Sequence, residues 1–325
     1  MDRDAAPLPF GWIGDERRLV RLDAPDGSSV AWIAPSMGAN VVGYAVRGRS
    51  GWRHVLFSQG AEQLAQLPSR FGVPILFPFP GHMRRGEYTW QGTTHRVPLA
   101  NPNAASFTHG FAHQHPWRLE KTGAATARGD FSTDSDLSPA EREGYPFDVA
   151  LVLDVSLETG ALVVTLTAEN QSPIEAPVAF GLHPYFGPEI LGEDRTRVKV
   201  TLPGRAERLL TQNPPVPTGE RRGPYGSVQV VPLGQTMLAS RTDFDDDNRT
   251  AVLEAADGAR IILDMDAGYG DVLLFAPDMH NALSLEPHTH APGAASMPAD
   301  SPDALQPLEL GATLRAAATI RVEGI

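Results

Sequence analysis

The chain has 325 residues, a formal net charge of −12 and a sequence pI near 5.3, a balance that repels phosphate backbones and anionic headgroups and so excludes nucleic acid and membrane surfaces as natural partners. It contains no cysteine, which excludes disulfides, thiolate nucleophiles and cysteine-ligated metals. The N-terminal run Met1-Asp2-Arg3-Asp4-Ala5-Ala6-Pro7-Leu8 has no apolar signal-type segment, and no stretch reaches the ~20 apolar residues of a membrane span, so a soluble cytoplasmic protein is expected.

With 31 glycines and 29 prolines, the composition suits many short strands joined by tight turns. In chain order, residues 29–33 and 39–46 read as strands, and 60–67 as the best short helix. Residues 132–143 read as a mobile loop. Residues 147–156 read as a strand, Leu157-Glu158-Thr159-Gly160 as a turn, and the partner strand follows. There Val164, Leu166 and Ala168 alternate with Thr165, Thr167 and Glu169, giving one buried and one solvated face. Further strands are expected at 228–231, 259–265, 272–275, 282–286 and 313–322. Residues 291–305 read as a surface insertion, with a lid over a nearby site as the alternative. The pattern predicts an all-β protein of two large sheets packed face to face, with no linker dividing residues 1–325 into separate domains.

Three segments carry candidate chemistry. Thr108-His109-Gly110-Phe111 is the first. In the second, Phe180-Gly181-Leu182-His183-Pro184-Tyr185-Phe186, Pro184 biases His183 toward an extended backbone, and the aromatics Tyr185 and Phe186 offer flat faces suited to the C–H face of a sugar ring. In the third, Leu283-Ser284-Leu285-Glu286-Pro287-His288-Thr289, Glu286 closes an apolar strand that Pro287 cannot continue. Burying a carboxylate there requires an ion pair or a function as general base. His113-Gln114-His115 followed by Glu120 has the outline of a cupin-type metal site but lacks its remaining ligand pattern, and His288-Thr289-His290 lacks a carboxylate at a metal-ligand offset. No metal is therefore assigned. No nucleotide-binding glycine motif is present, and no cofactor is expected.

Taken together and in order, these segments resemble the aldose 1-epimerase (galactose mutarotase) family over nearly the whole chain. Pro74-Ile75-Leu76-Phe77-Pro78-Phe79-Pro80 and Gly86-Glu87-Tyr88-Thr89-Trp90-Gln91-Gly92 resemble its N-terminal signature. His109-Gly110-Phe111-Ala112, Gly144-Tyr145-Pro146-Phe147, the His183-Pro184-Tyr185-Phe186 run and Glu286-Pro287-His288-Thr289 resemble later landmarks. The resemblance implies a large two-sheet β-sandwich of the galactose mutarotase-like type, also called a supersandwich, acting on a free aldohexose as monomer or homodimer. It implies Glu286 as catalytic base and His183 as acid, with His109 contacting the sugar near its ring oxygen. Asp246, within Asp245-Asp246-Asp247, is the expected hydroxyl-binding carboxylate, and Tyr185 is expected at the substrate.

Where many family members have Asn-Arg, this chain has Gly81-His82. The resemblance therefore gives the sugar-binding task of that arginine to His82, Arg84 or Arg85. A carboxylate close to His183 is expected to keep its imidazole protonated. Two alternatives stand beside a free-sugar mutarotase: a hexose 6-phosphate mutarotase using Arg84 and Arg85, and a non-catalytic carbohydrate binder on the same scaffold.

Overall fold

The computed structural model describes residues 6–223 and 228–325; Met1 to Ala5, part of the N-terminal run considered above, lie outside the described residues. Two antiparallel sheets dominate. A nine-stranded sheet runs, edge to edge, through Arg118–Lys121, Thr126–Ser132, Val149–Glu158, Ala161–Asn170, Thr313–Glu323, Arg260–Met265, Thr250–Glu254, Lys199–Thr201 and Val228–Gln229. An eight-stranded sheet runs through Pro217–Arg222, Ala206–Leu210, Met237–Thr242, Asp271–Ala276, Leu283–His288, Gly181–Leu182 and Ile75–Leu76, with Tyr185–Phe186 also pairing onto Leu283–His288. A four-stranded sheet spans Val20–Asp23, Ser29–Ala34, Asn40–Gly48 and Gly51–His54.

The period-2 pattern decides which side chains enter the core. Along Val149–Glu158, alternate residues Val149, Leu151, Leu153, Val155 and Leu157 are buried, and Leu162, Val164, Leu166 and Ala168 match them on the adjacent strand. Glu158 pairs directly with Ala161, so the connection narrows to Thr159-Gly160, with Gly160 in the left-handed region at φ 69°. The same core takes Val272 and Leu274 from one strand of the eight-stranded sheet, and Leu283 and Leu285 from the next. The opposite face of these strands carries Leu273 and Phe275, and Ser284, Glu286 and His288. The helix expected at 60–67 forms as Ala61–Gln66.

Two expected loops are better anchored than their composition implied. Residues 132–143 hold two short helices, Thr133–Asp136 and Pro139–Gly144. The second is set by a capping box: Ser138 Oγ accepts from the Glu141 backbone while the Glu141 carboxylate accepts from the Ser138 backbone, with Pro139 in the first turn. Residues 291–305, expected as a surface insertion, bury Ala291, Ala294, Ala295, Asp303 and Ala304. The Gly293 N–H donates to Pro80 O at 2.9 Å, so this segment is a wall against the Pro80-Gly81 turn. Among the described residues, no helix is long and apolar enough to cross a membrane.

Candidate active site

Glu286 and His183 meet on the outer face of the eight-stranded sheet. Glu286 stands on Leu283–His288, directly across the ladder from Leu273. His183 follows the short strand Gly181–Leu182, and its backbone N–H is fixed on Pro74 O at 3.0 Å. Both side chains are almost wholly buried, and His183 Nε2 lies 3.4 Å from Glu286 Oε1. Ser284, two residues before Glu286 and on the same face, holds His183 Nδ1 at 2.8 Å. The Tyr185 ring stacks on the imidazole with centroids 4.5 Å apart and an interplanar angle of 14°, and its hydroxyl is 3.2 Å from Nε2. The imidazole is thus held on one nitrogen, stacked on one face and turned toward the carboxylate with the other nitrogen.

These two residues line a cleft of about 560 Å³ together with His82, His109 and Tyr185, placing five of the seven expected residues in one cavity. His109 is presented by an unusual backbone, with φ 68° at a non-glycine residue. Its N–H donates to Gly81 O at 2.9 Å, and its Nδ1 accepts from the Gly81 N–H at 3.2 Å, which leaves Nε2 to carry the proton of the neutral ring. The next residue, Gly110, is also left-handed at φ 71°, and a Cβ there would lie 2.1 Å from Phe77 O. The His109 ring reaches His183 edge-on at 5.2 Å between centroids. His82 pairs with Thr108 across a two-stranded ladder, and its Nδ1 is 2.8 Å from Ser106 Oγ.

Two expected residues lie elsewhere. Asp246 is fully exposed at the tip of the turn closed by Asp245 and Asn248, with its carboxylate 3.8 Å from Arg249. Residues 243–245 separate it from the end of strand Met237–Thr242, and its side chain points to solvent; the carboxylates lining the cleft are Glu286 and Asp278. Arg84 has its backbone N–H on Ser296 Oγ at 2.8 Å, while its side chain, with Arg85 and Arg96, lines a separate cavity. His82 and Arg84 straddle Met83, whose side chain is buried in the core. The cupin-like outline also dissolves: His115 Nε2 turns to Glu141 at 3.0 Å, whereas His113 stacks edge-on toward His109, 6.4 Å between centroids.

The arginine in the cleft is Arg70, which was not singled out from sequence. Its guanidinium lies over the Phe275 ring, 5.5 Å from the centroid. Its charge acts on His82, His183 and Glu286 alike.

Burial dominates the electrostatics. It pushes the Glu286 carboxyl above the usual range, opposed by His288 and then by Arg70. It pushes His183 well below 6.5, and the charges of His288, Arg70 and His113 act in the same direction. The imidazolium expected for His183 from the nearby carboxylate is therefore not the favoured form of the closed site; desolvation outweighs that neighbour. His109 is likewise driven well down by burial first and by its histidine neighbours second.

A stability prediction follows for three other histidines. Burial holds His82, His113 and His290 each at about 4. Their folded-state values lie below the unfolded value, so their contribution is complete above about pH 6.5 and is lost as pH falls toward 4. Each pKa unit is about 1.4 kcal/mol, so the three together remove several kcal/mol over that window, offset in part by Glu286 and Asp271, which burial pushes upward. Calorimetric Tm values should drop steeply between pH 6.5 and 4.5. A flat Tm across that interval would contradict the burial of these neutral rings.

The fold is that of the galactose mutarotase-like sandwiches, and comparison with known proteins gives the family. The aldose 1-epimerase family model matches residues 18–316, and the protein belongs to that family. Its fold is shared by a galactose mutarotase-like protein from Clostridium acetobutylicum, with TM-score 0.79 and 21% identity over 92% of this chain and 94% of that one. It is shared also by the GalM/aldose epimerase homologue from C. elegans, with TM-score 0.76 and 11% identity over 94% of this chain and 99% of that one. At these identities the likeness establishes the galactose mutarotase-like sandwich itself. In sequence, the uncharacterised protein YihR of Escherichia coli K12 is 27% identical over 114 residues, covering 34% of this chain and 35% of that protein. The aligned stretch thus spans about a third of the length of that relative.

Proposed function

We propose that the protein is a mutarotase that interconverts the α and β anomers of a free aldohexose without a cofactor, using Glu286 and His183 as an acid–base pair. The observation that carries this reading is their convergence at 3.4 Å on the floor of the cleft. Ring opening removes the proton of the anomeric hydroxyl and delivers one to the ring oxygen, so the pair must hold one proton and move it between two sites. In the ground state burial favours the neutral arrangement. Substrate hydroxyls entering the cleft supply the polar contacts that permit the carboxylate–imidazolium form, which carries the same number of protons. Glu286 then takes the anomeric proton while His183 protonates the ring oxygen. After rotation about the C1–C2 bond, the reverse transfers close the other anomer.

His109, with its Nε2–H free of the Gly81 contact, is suited to donate toward the ring oxygen. Tyr185 keeps His183 oriented, and Arg70 takes the hydroxyl-binding task first given to Arg84 or Asp246. Removing a charged hydrogen-bond donor costs about 1.5–3 kcal/mol. Arg70→Ala should accordingly raise KM about 10- to 100-fold, whereas Arg84→Ala and Asp246→Ala leave kcat/KM within about twofold. Reversal of that order would relocate the sugar.

The phosphorylated-sugar alternative drew on Arg84 and Arg85, and both line the neighbouring cavity instead. Polarimetry of freshly dissolved α-glucose and α-galactose tests the reading: accelerated decay supports a mutarotase, and an unchanged spontaneous rate for every aldose tried would leave only a binder.

A further inference from the structure

His288 stands two residues beyond Glu286 on the same strand, so the two side chains leave the same face of the sheet. Its Nε2 is 3.3 Å from Glu286 Oε2, while the other carboxylate oxygen, Oε1, is the one that faces His183. The ring is completely buried, and neither of its nitrogens nor Glu286 Oε2 has an aligned hydrogen-bond partner among the described residues. Asp271 lies directly across the ladder from His288, but its carboxyl is gripped by Arg208 at 3.0 and 3.2 Å. Room for the imidazole is made by Gly181, where a Cβ would fall 2.5 Å from His288 Cδ2. A buried imidazole with no aligned partner is costly unless it has a task, and the proton transfers described above give it none.

We propose that His288 is a positioning residue for the base: its Nε2–H acts on Glu286 Oε2, orienting the carboxyl group and leaving Oε1 to face the sugar. This rests on Glu286 being the base. The other groups that act on Glu286 are His183 and Tyr185 from the 181–186 segment and Arg70 from the segment ahead of Ile75–Leu76. His288 itself faces Asp271, with Arg208 beyond, and acts on His109 and His183. Of the groups that oppose the effect of burial on Glu286, His288 is stronger than Arg70.

The test combines the pH dependence of kcat/KM, read by anomer exchange, with direct ¹³C titration of the Glu286 carboxyl. In His288→Leu the acidic limb and the carboxyl titration both move to higher pH by about one unit, and kcat below pH 6 falls about tenfold while KM stays within about twofold. His288→Gln keeps an N–H donor and moves both by less than half as much. The contact is reciprocal, so Glu286→Gln must also shift the His288 imidazole ¹⁵N resonances, a readout independent of whether the leucine variant folds. Coincident titrations of Glu286 in wild type and His288→Leu, or unmoved His288 ¹⁵N resonances in Glu286→Gln, overturn the proposal. A wild-type protein without mutarotase activity overturns the base assignment instead, and the Glu286 titration and the His288 resonances still report whether the residues are coupled.

Discussion

Glu286→Gln and His183→Asn should each lower kcat by at least about two orders of magnitude while leaving the fold in place, because a positioned acid or base supplies ~10²–10⁴-fold. Glutamine preserves the shape of the Glu286 side chain between His183 and His288, 3.4 and 3.3 Å away, but cannot accept a proton at neutral pH. Asparagine at 183 retains a polar group near Ser284 but loses the titratable nitrogen that faces the carboxylate. The two residues act on one proton, so the double variant should be little slower than the worse single variant. Single-variant rates within about threefold of wild type, with matching thermal melts, would remove that residue from the mechanism.

The largest loss of stability is expected at Arg208. Its guanidinium is buried, donates to both Asp271 oxygens and to Thr242 Oγ1 at 3.1 Å, and contacts Asp303. Arg221 reaches Asp303 at 2.9 Å from the edge strand. Removing the central cation leaves Asp271 unpaired and Asp303 with a single partner, both in a low-dielectric setting. Breaking a buried pair in this way costs about 3–5 kcal/mol. Arg208→Ala should therefore lose about that much in urea unfolding, and substrate affinity should weaken with it. Asp303 belongs to the 291–305 segment, whose Pro292 lines the cleft, so the ion pair fastens one wall of the site to the sheet. A loss under about 1 kcal/mol would show that the network contributes nothing net.

Much of this architecture is legible in the amino-acid order because the physics that places it is local. Alternation in Val164, Leu166 and Ala168 identifies a two-faced strand, and the turn at Thr159-Gly160 follows from glycine's access to positive φ. The extended backbone at His183 is legible for the same reason, through Pro184; Pro287, expected to end the strand at Glu286, instead lies within Leu283–His288, paired with Val272, and the ladder runs on to His288. The errors share a cause of another kind. Nothing within a few residues of Arg70 indicates that it will lie over Phe275, about two hundred positions later in the chain. Asp246 sits in an acidic run of the right composition, yet the turn between Asp245 and Asn248 carries it out to solvent. Arg84 shares a strand face with His82, two residues earlier, yet it lines the neighbouring cavity and not the cleft. Likewise, composition marks 132–143 as loop-like, whereas the Ser138–Glu141 cap and the Glu141–His115 contact tie it down.

The protonation of the site was also beyond sequence. A carboxylate beside His183 argues for an imidazolium, but only the burial of both residues shows that desolvation outweighs it. The pair consequently favours the uncharged arrangement over a fixed ion pair.

The central claim is that Glu286 and His183 catalyse anomer exchange, and exchange between the anomeric protons of an equilibrated aldohexose tests it directly. Magnetisation-transfer NMR should show exchange far above the spontaneous rate with the wild-type protein, falling at least about a hundredfold with Glu286→Gln. Equal exchange rates with the two proteins, or no acceleration by either across a panel of aldoses, would contradict it.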